Sequence, residues 1–446
     1  MTRIGLVSLG CPKALVDSEV MAGVLKKRGM ELCQRSEDAD IIVINTCGFL
    51  QASTEESMAT IETAEKLKKE GKCRGVVVAG CLVERYSDRI LRKYPQVDAL
   101  LGTSHFEEIA IAVEKILAGE KYRALSHKRN LLSHESPIHH LTPEHYSYVK
   151  IAEGCDHPCR FCVIPRIKGR HQSRTIEDIE KEVSAKAETG TREIILVAQD
   201  TTDYGRDIYQ EQRLPQLLKR LAQIDGIDWI RILYAYPSYV TDELINVMAE
   251  EPKICKYLDM PLQHAHDDML QAMARMGTRG EYLALIQKMR ERISGLALRT
   301  TFIVGFPGET EEHFQSLLAF VENIKFERLG VFNYSREPGT YSDKMDHHVP
   351  EDVKERRRRE MMLLQQEISQ INNRRWIGKE IKMMVDGRAE DSAYLLGRAY
   401  FDAPEIDGSI YVEDRDHQGK TGDLVDIKII DALEYDLVGQ LIPCRH

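Results

Sequence analysis

Three cysteines lie close together near the middle of the chain, and their spacing is suited to binding metal. Residues 155–162 read Cys-Asp-His-Pro-Cys-Arg-Phe-Cys, a Cys-x3-Cys-x2-Cys pattern directly after an apolar run. A structural zinc ion takes four protein ligands, and His157, inside this loop, is a poor candidate for the fourth. Thiolates also bind cubane iron–sulfur clusters, where three cysteines leave one iron open to a small molecule. The spacing favours such a cluster over zinc or three unliganded thiols.

Three other cysteines share a context although they are far apart in sequence. Cys11, Cys47 and Cys81 each follow an apolar run, in the stretches IGLVSLGC, IIVINTC and VVVAGC. The carboxyl ends of parallel strands meet at one edge of an open sheet, where ligands bind. Any one of these cysteines could equally be a small buried residue, but three at the same register predict a second thiolate site. The remaining cysteines are interpreted as packing or surface residues: Cys33, Cys73, Cys255 and Cys444.

The elements around the first three cysteines alternate between strand and helix. The runs Ile4–Ser8, Ile41–Ile44 and Val76–Val78 are short and rich in β-branched residues, and amphipathic patterns separate them. Gly29 is suited to the position just after a helix, and Ser53 with Glu56 predicts a capping box. This alternation indicates an α/β, Rossmann-like domain with a parallel sheet over residues 1–125. Residues 126–142, rich in His, Ser and Pro, read as a linker.

The region 143–375 repeats the alternation six times. Six βα units in about 230 residues indicate a partial barrel, because a complete eight-unit barrel usually needs about 250. Helical patterns lie between the strands, for example over Ile176–Glu188 and Glu311–Ile324. The charged segment Glu351–Arg375 is interpreted as a surface helix that ends the barrel. The predicted strands are Tyr148–Glu153, Glu193–Gln199, Trp229–Tyr236, Tyr257–Leu262, Leu298–Val304 and Leu329–Tyr334.

Residues 376–446 change to short β runs separated by Gly and Asp, which is typical of a small antiparallel barrel. The predicted runs are Ile381–Val385, Ser409–Val412 and Leu424–Ile430. This segment holds 8 Lys+Arg and 15 Asp+Glu, so it carries −7 of the chain's formal charge of −10. An acidic domain repels nucleic acid and attracts a basic protein. The run Arg356 to Arg359 is interpreted as a solvated helix face rather than an RNA-binding patch.

Composition excludes several classes of protein. Hydrophobic residues make up 43% of the 446 residues and charged residues 30%, which is ordinary for globular domains. No stretch approaches the roughly 18 apolar residues of a membrane helix, and residues 1–10 lack the features of a signal peptide. We therefore expect a cytoplasmic protein without membrane association, in which thiols stay reduced and a disulfide framework is improbable.

The motif at Cys155, Cys159 and Cys162 resembles that of the radical S-adenosylmethionine (SAM) superfamily. The resemblance implies that a 4Fe–4S cluster on these cysteines binds SAM at its open iron, and that the partial barrel is the fold. Phe161 matches an aromatic position near the adenine. The run Phe302 to Thr310 contains Gly-Phe-Pro-Gly, a turn on its own, but beside the cysteines it is interpreted as a SAM contact. Gln199 and Asp200 lie at the strand edge where active-site groups of barrels are found, and by position they could bind SAM or equally the substrate. The expected cofactor-binding residues are Phe161, Gln199, Asp200, Gly305, Phe306 and Pro307.

Two three-cysteine sets followed by a small barrel resemble the methylthiotransferase family over essentially the whole chain. The resemblance implies a second 4Fe–4S cluster on Cys11, Cys47 and Cys81 that handles the inserted sulfur. It also implies a C-terminal TRAM domain that engages the substrate, and an electron donor such as flavodoxin or ferredoxin. Four stretches are similar to the branch that modifies an aspartate of small-subunit ribosomal protein twelve: Ser8–Lys13, Val197–Thr201, Leu262–Ala265 and Asp402–Gly408.

The resemblance implies that this enzyme methylthiolates the β-carbon of that aspartate and uses SAM as both radical source and methyl donor. The substrate is then a basic ribosomal protein, either free or in the small subunit. One alternative keeps the chemistry and makes a transfer RNA adenosine the substrate. Another alternative is an iron–sulfur carrier or scaffold without catalysis. His264 and His266 are interpreted as packing or surface residues.

Overall fold

The N-terminal part of the protein is a six-stranded parallel sheet flanked by helices. The computed structural model describes residues 1–125, 131–389, 393–414 and 419–442. The sheet order is β2-β1-β3-β4-β5-β6. The three predicted strands are confirmed as β1, β3 and β4, whereas the three-residue strands β2, β5 and β6 were not predicted. The elements are β1 Arg3–Ser8, α1 Pro12–Lys27, β2 Glu31–Cys33, β3 Ile41–Thr46, α2 Gln51–Lys69, β4 Gly75–Gly80, α3 Cys81–Lys93, β5 Ala99–Leu101, α4 Ile109–Leu117 and β6 Tyr122–Ala124.

Two details of this domain test the predicted helix ends. Gly29 follows α1 with φ +76°, the left-handed conformation predicted for it. The capping box predicted at Ser53 and Glu56 is wrong, because α2 begins two residues earlier, at Gln51. Ser53 instead lies in the first turn, where its Oγ accepts a hydrogen bond from the backbone N–H of Leu50 at 3.1 Å. The helix therefore starts closer to Cys47 than predicted.

The central part is a second six-stranded parallel sheet, of order β14-β13-β12-β11-β10-β7, curved into the partial barrel that was predicted. Each strand bound differs from its prediction by up to four residues, whereas α6 and α12 match. The elements are β7 Tyr146–Lys150, β8 Ala152–Glu153, α5 Ile164–Lys168, β9 Gln172–Ser173, α6 Ile176–Glu188, β10 Glu193–Val197, α7 Arg206–Tyr209, α8 Leu214–Ala222, β11 Trp229–Ile232, α9 Asp242–Glu250, β12 Ile254–Asp259, α10 Asp267–Ala272, α11 Arg279–Arg292, β13 Ala297–Val304, α12 Glu311–Ile324, β14 Arg328–Asn333 and α13 Glu351–Arg374.

Helix α13 is more deeply packed than the predicted surface helix. One of its faces buries Lys354, Arg357, Met361 and Ile368 against the barrel. Lys354 donates to the backbone carbonyl of Tyr334 at 3.0 Å. The interpretation of Arg356 to Arg359 as a solvated face is therefore wrong for Arg357, which is buried. Three of these four arginines form ion pairs within the chain: Arg356 with Glu311, Arg357 with Glu309 and Arg358 with Glu355.

The C-terminal part is a five-stranded closed barrel of order β15-β16-β17-β19-β18. Four of its five strand pairings are antiparallel, as predicted, but β17 and β19 pair in parallel. Sequence analysis missed β16 and β19, since Gly397 and Gly439 interrupt their apolar patterns. The strands are β15 Glu380–Arg388, β16 Tyr394–Arg398, β17 Ile410–Glu413, β18 Leu424–Ala432 and β19 Leu437–Leu441.

Some acidic side chains of this domain pair with the central domain instead of facing solvent. Asp402 accepts a hydrogen bond from Arg328 of the central domain at 2.7 Å, and both side chains are buried. Asp407 accepts one from the Tyr257 hydroxyl at 2.8 Å. The charge that the C-terminal barrel offers to a partner is consequently smaller than its composition indicates. Among the described residues of this domain, the exposed acidic side chains are Glu380, Glu405, Glu413, Asp426, Asp431 and Glu434.

The predicted linker is only partly described, because residues 126–130 and Cys444 lie outside the described residues. Residues 131–142 run without helix or strand across the N-terminal domain, as predicted. The backbone N–H groups of His139 and Leu141 donate to the carbonyl and carboxylate of Glu19, at 3.0 and 3.1 Å. Within the described ranges, no helix is long and apolar enough to cross a membrane.

Candidate active site between two cysteine-bearing loops

Sheet register brings the N-terminal cysteines together. Thr46 of β3 pairs with Gly80 of β4, so Cys47 and Cys81, the next residues, leave neighbouring strands side by side. Cys11 follows β1, on the other side of β3, and immediately precedes α1. Burial and, to a smaller extent, the charges of Cys11 and Cys47 raise the pKa of Cys81 to about 12, against the lowering effect of Lys168. The three thiols therefore lie within electrostatic reach of one another, as the sequence predicted.

Two glycines with positive φ make room for these thiols. Gly80 has φ +97°, and a Cβ there would lie 2.4 Å from Oδ1 of Asn45 and 2.6 Å from the carbonyl oxygen of Thr46. Gly10 has φ +107°, and a Cβ there would lie 3.1 Å from the Cβ of Cys47. Close approach of backbone to backbone beside each cysteine thus requires glycine.

The second cysteine set lies on a loop that a short ladder closes. Strands β8 and β9 pair antiparallel, Glu153 opposite Gln172, and so bring together the two ends of residues 154–171. The backbone N–H of Cys155 donates to the carbonyl of Gly169 at 3.1 Å, and that of Cys162 to the carbonyl of Cys159 at 3.1 Å. These backbone contacts fold the loop around the three cysteines.

Two hydrogen-bond donors contact the sulfur atoms of this set. The guanidinium of Arg275 donates to Sγ of Cys159 at 3.7 Å, and the backbone N–H of Ile164 donates to Sγ of Cys162 at 3.5 Å. Burial raises the pKa of both Cys155 and Cys162 to about 12. At neutral pH, Cys155 and Cys162 are therefore protonated without a metal, and metal binding as thiolates releases these protons.

The sulfur spacing distinguishes a cluster from a single ion. Three thiolates on one zinc ion, at about 2.3 Å each, would hold their sulfurs about 3.8 Å apart. Among the described residues, neither cysteine set has all three sulfurs within 4.8 Å of one another. Neither set therefore forms the compact geometry of a single zinc ion on three thiolates.

His157 lies within the second cysteine loop but points away from the sulfurs. Its Nε2 lies 2.5 Å from a carboxylate oxygen of Asp200, and its ring stacks on Tyr236 with centroids 3.8 Å apart. Asp200 also accepts hydrogen bonds from the backbone N–H and hydroxyl of Thr202, at 2.8 and 2.5 Å. The structure thus gives His157 and Asp200 a role in positioning the cysteine loop against the end of β10.

The other residues predicted to contact SAM line the same edge of the barrel. Phe161 packs against a cluster that includes buried Phe306, while Gly305 and Pro307 are buried in the turn after β13. Gly305 has φ +75°, and a Cβ there would lie 2.2 Å from the side chain of Lys354. Gln199 donates its amide to Glu153 at 2.5 Å. These positions follow the carboxyl ends of parallel strands, where active-site groups of such barrels lie.

A buried charge cluster that the sequence pattern did not predict joins the two cysteine regions. Lys150 and Lys168 both contact Asp17 of α1 and Glu153 of β8; the Lys150–Glu153 distance is 2.7 Å. Burial raises the pKa of Glu153, but the charges of both lysines and a hydrogen bond from Gln199 outweigh it and hold that pKa well below its usual range. No sequence pattern indicated that these residues, spread over 150 positions, would meet. The cluster brings the end of α1, which carries Cys11, against the loop that carries Cys155, Cys159 and Cys162.

Comparison with known proteins agrees with this arrangement. Family models match residues 3–102 as uncharacterized protein family UPF0004, residues 149–321 as the radical SAM superfamily and residues 377–442 as a TRAM domain. A ribosomal protein uS12 methylthiotransferase RimO from Desulforamulus reducens is 47% identical over 99% of this chain and 100% of that protein. The chain belongs to the ribosomal protein uS12 methylthiotransferase family. It is a radical SAM methylthiotransferase.

Other relatives extend the comparison. RimO proteins from Desulfitobacterium hafniense and Anaeromyxobacter sp. are 44% and 47% identical to the methylthiotransferase, each over 99% of its chain and over 98% and 93% of theirs. Among solved structures, the radical SAM methyltransferase TsrM from Kitasatospora setae, with cobalamin and a 4Fe–4S cluster bound, has a TM-score of 0.55 at 13% identity over 77% of each chain. At that identity the likeness concerns the fold. The α/β fold class, the TRAM barrel and the 4Fe–4S and SAM cofactors expected from sequence are thereby confirmed.

Proposed function

We propose that this methylthiotransferase modifies the β-carbon of an aspartate in ribosomal protein uS12. The observation that carries the proposal is the meeting of the two cysteine regions at Asp17 and Glu153, together with relatives named for uS12 over the whole chain. Acid–base side chains cannot break the C–H bond of an unactivated carbon. The cofactors therefore supply that step, and the protein positions the substrate carbon beside them. A site shared by both regions allows one substrate carbon to meet both.

We assign one 4Fe–4S cluster to Cys11, Cys47 and Cys81 and the other to Cys155, Cys159 and Cys162. SAM is assigned to the edge of the barrel beside the second cluster. When bound, these groups supply a 5′-deoxyadenosyl radical, a sulfur atom and a methyl group. What supports the assignment is the strand register that groups Cys11, Cys47 and Cys81 at one sheet edge, and the closed loop that carries the other three cysteines. The residues proposed to contact SAM are Phe161, Gln199, Asp200, Gly305, Phe306 and Pro307.

The chain's own residues prepare this site. Arg275 places a cation beside the thiol of Cys159 and stacks on Tyr236, with its guanidinium 4.0 Å from the ring centroid. A second contact closes the other side of the interface, where Arg85 pairs with Glu337 at 2.9 Å and both side chains are buried. The N-terminal domain is therefore anchored to the barrel on both sides of the two cysteine sets, while Cys11 stays exposed to solvent.

We propose a division into an N-terminal sulfur-handling domain over 1–125, a linker over 126–142, a radical SAM core over 143–375 and a TRAM domain over 376–446. A one-electron donor of the flavodoxin or ferredoxin type would serve the core. The basic run at Arg356 to Arg359 gives little support to RNA as the substrate. Arg356 and Arg357 are already paired with Glu311 and Glu309. Those arginines offer little free charge to phosphates.

The mass of uS12 tests the proposed function. Intact mass spectrometry of uS12 from a strain lacking this gene, compared with the complemented strain, should show the loss of one methylthio group. Fragmentation should place that group on an aspartate. Transfer RNA nucleosides from the same strains serve as the control and should be unchanged.

Two results would contradict the proposal. A change in a tRNA adenosine with unchanged uS12 would make RNA the substrate. Unchanged uS12 and tRNA, together with purified protein that holds clusters but does not cleave SAM, would make the protein an iron–sulfur carrier.

A further inference from the structure

Lys13 stands apart from the other cations that surround the space between the cysteine regions. It is the second residue of α1, two positions after Cys11. Its Nζ lies 3.4 Å from the ring centroid of Tyr234, a residue that follows β11 of the central barrel. This contact therefore joins the N-terminal domain to the carboxyl edge of the barrel, directly beside the first cysteine set.

Lys13 forms no ion pair among the described residues, although Glu153 and Asp259 lie near enough to interact with its charge. Over the described residues, no carboxylate oxygen lies within 4.0 Å of its Nζ, whereas Lys150 and Lys168 each contact both Asp17 and Glu153. Both of these carboxylates, Glu153 and Asp259, already form ion pairs with other side chains. Glu153 binds the other two lysines, and Asp259 binds Arg299 at 2.8 Å. A half-buried ammonium with only an aromatic face beside it has donors free for a ligand.

Tyr234 places this cation close to the proposed SAM site. The carbonyl of Tyr234 accepts a hydrogen bond from the backbone N–H of Thr201 at 3.0 Å, and Thr201 directly follows Gln199 and Asp200. Tyr234 adopts φ +63°, a conformation that a bulky residue rarely takes. Its backbone N–H donates to Asp259 at 3.2 Å, which holds the turn. Strain of this kind persists where the surrounding structure fixes a side chain for function.

We infer that Lys13 binds the side-chain carboxylate of the substrate aspartate. The inference rests on the proposed function and adds to it the group that recognises the substrate. The carboxylate is bonded to the β-carbon, so an ion pair with Lys13 would hold that carbon within the space between Cys11 and the end of β11. An adenosine offers no carboxylate, and Lys13 thereby selects for an acidic side chain.

Binding measurements with four protein pairs test this inference. The holoenzyme with both clusters, as wild type and as Lys13→Met, is titrated with intact uS12 and with a uS12 variant that carries asparagine in place of the target aspartate. For wild type, asparagine should weaken binding about 10- to 100-fold, the range for a hydrogen-bonded charge pair. For Lys13→Met the preference for aspartate should disappear. Lys13→Arg should restore part of it.

Lys27→Met is the matched control, since Lys27 lies on the same helix and is exposed. It should keep the wild-type preference. A Lys13→Met enzyme that still prefers aspartate as strongly as wild type would overturn the inference, and so would a loss of iron from this variant that accounts for the weaker binding. Failure of the wild-type enzyme to modify uS12 at all would instead refute the proposed function, which separates the two outcomes.

Discussion

Arg398 of the C-terminal barrel donates a hydrogen bond to Glu193 at the start of β10, and both side chains are buried. Glu193 also accepts one from Arg231, at 2.8 Å, and Arg231 is wholly buried. Arg398 contacts Asp386 in addition, at 3.1 Å. One carboxylate thus pairs with two guanidinium groups from different domains, and this network joins the TRAM barrel to the radical SAM barrel.

Removing the shared carboxylate should loosen this junction. Glu193→Gln leaves two buried arginines without their main counter-charge, so we expect the free energy of unfolding to fall by about 3–5 kcal/mol. Denaturant unfolding of the holoenzyme measures it. The control is Lys382→Met, which removes the exposed pair between Lys382 and Asp426 and should cost about 0–1 kcal/mol. Equal effects from the two variants would contradict the structural role of Glu193.

The two cysteine sets should separate by function. Replacing Cys155, Cys159 and Cys162 with Ala should abolish 5′-deoxyadenosine formation from SAM, because the open iron is lost. Cys11→Ala should stop methylthio transfer while SAM cleavage continues. Anaerobic assays that quantify deoxyadenosine and modified uS12 side by side check both results. Cys33→Ala should change neither product, since Cys33 lies outside both sets. Deoxyadenosine formation at the wild-type rate by the triple variant would refute the assignment.

Backbone geometry beside Cys81 gives a sharper test of the N-terminal site. Gly80→Ala places a Cβ 2.4 Å from Asn45 at φ +97°, so Cys81 must move and iron per chain should fall by about half. Gly29→Ala has a similar positive φ, +76°, with nothing within 4 Å. It should cost about 1 kcal/mol of stability and retain all iron. Iron analysis and unfolding curves distinguish steric displacement from conformational cost, and full iron in Gly80→Ala would contradict the site.

Arg275 should tune the radical SAM cluster. Arg275→Leu removes a cation and a hydrogen bond from the thiol of Cys159, so added electrons are less stabilised and the midpoint potential should fall by on the order of tens of millivolts. Potentiometric titration followed by electron paramagnetic resonance measures this shift. Arg275→Lys keeps the charge and should shift the potential less. An unchanged potential in the leucine variant would place Arg275 outside the influence of that cluster.

A buried histidine should make stability depend on pH. Burial lowers the pKa of His264 to about 3, with help from the charges of His266, His313 and Arg357. The unfolded chain, with an ordinary pKa of about 6.5, takes up a proton below that pH while the folded protein does not. Stability is therefore present above pH 6.5 and is lost as pH falls, by about 1.4 kcal/mol at pH 5.5.

The comparison of wild type with His264→Gln isolates this effect. Glutamine does not titrate, so the difference in unfolding free energy between the two proteins should narrow or reverse between pH 7.5 and 5.5. A difference that stays constant over this range would show that His264 is protonated equally in the folded and unfolded states.

Local pattern was enough to predict many of the elements. The apolar runs before Cys11, Cys47 and Cys81 predicted the strands that the register of β1, β3 and β4 now joins. Helix α12 matched its predicted bounds because Thr310 caps it and a buried apolar face follows. Strands β16 and β19 were missed because their pattern is short and broken by glycine. The predicted start of α2 was wrong because Ser53 can serve a helix from inside its first turn as well as from its cap.

The sequence by itself determined the two cysteine sets, the α/β architecture and the family, since these depend on residue type, spacing and periodicity along the chain. Only the tertiary structure decided where charges meet. Asp17, Lys150, Glu153 and Lys168 converge from separate segments, and the last domain pairs Asp402 with Arg328 and Arg398 with Glu193 of the central barrel. Long-range pairing of this kind depends on packing between domains. The residue type of a charged side chain does not indicate whether that side chain is buried or exposed.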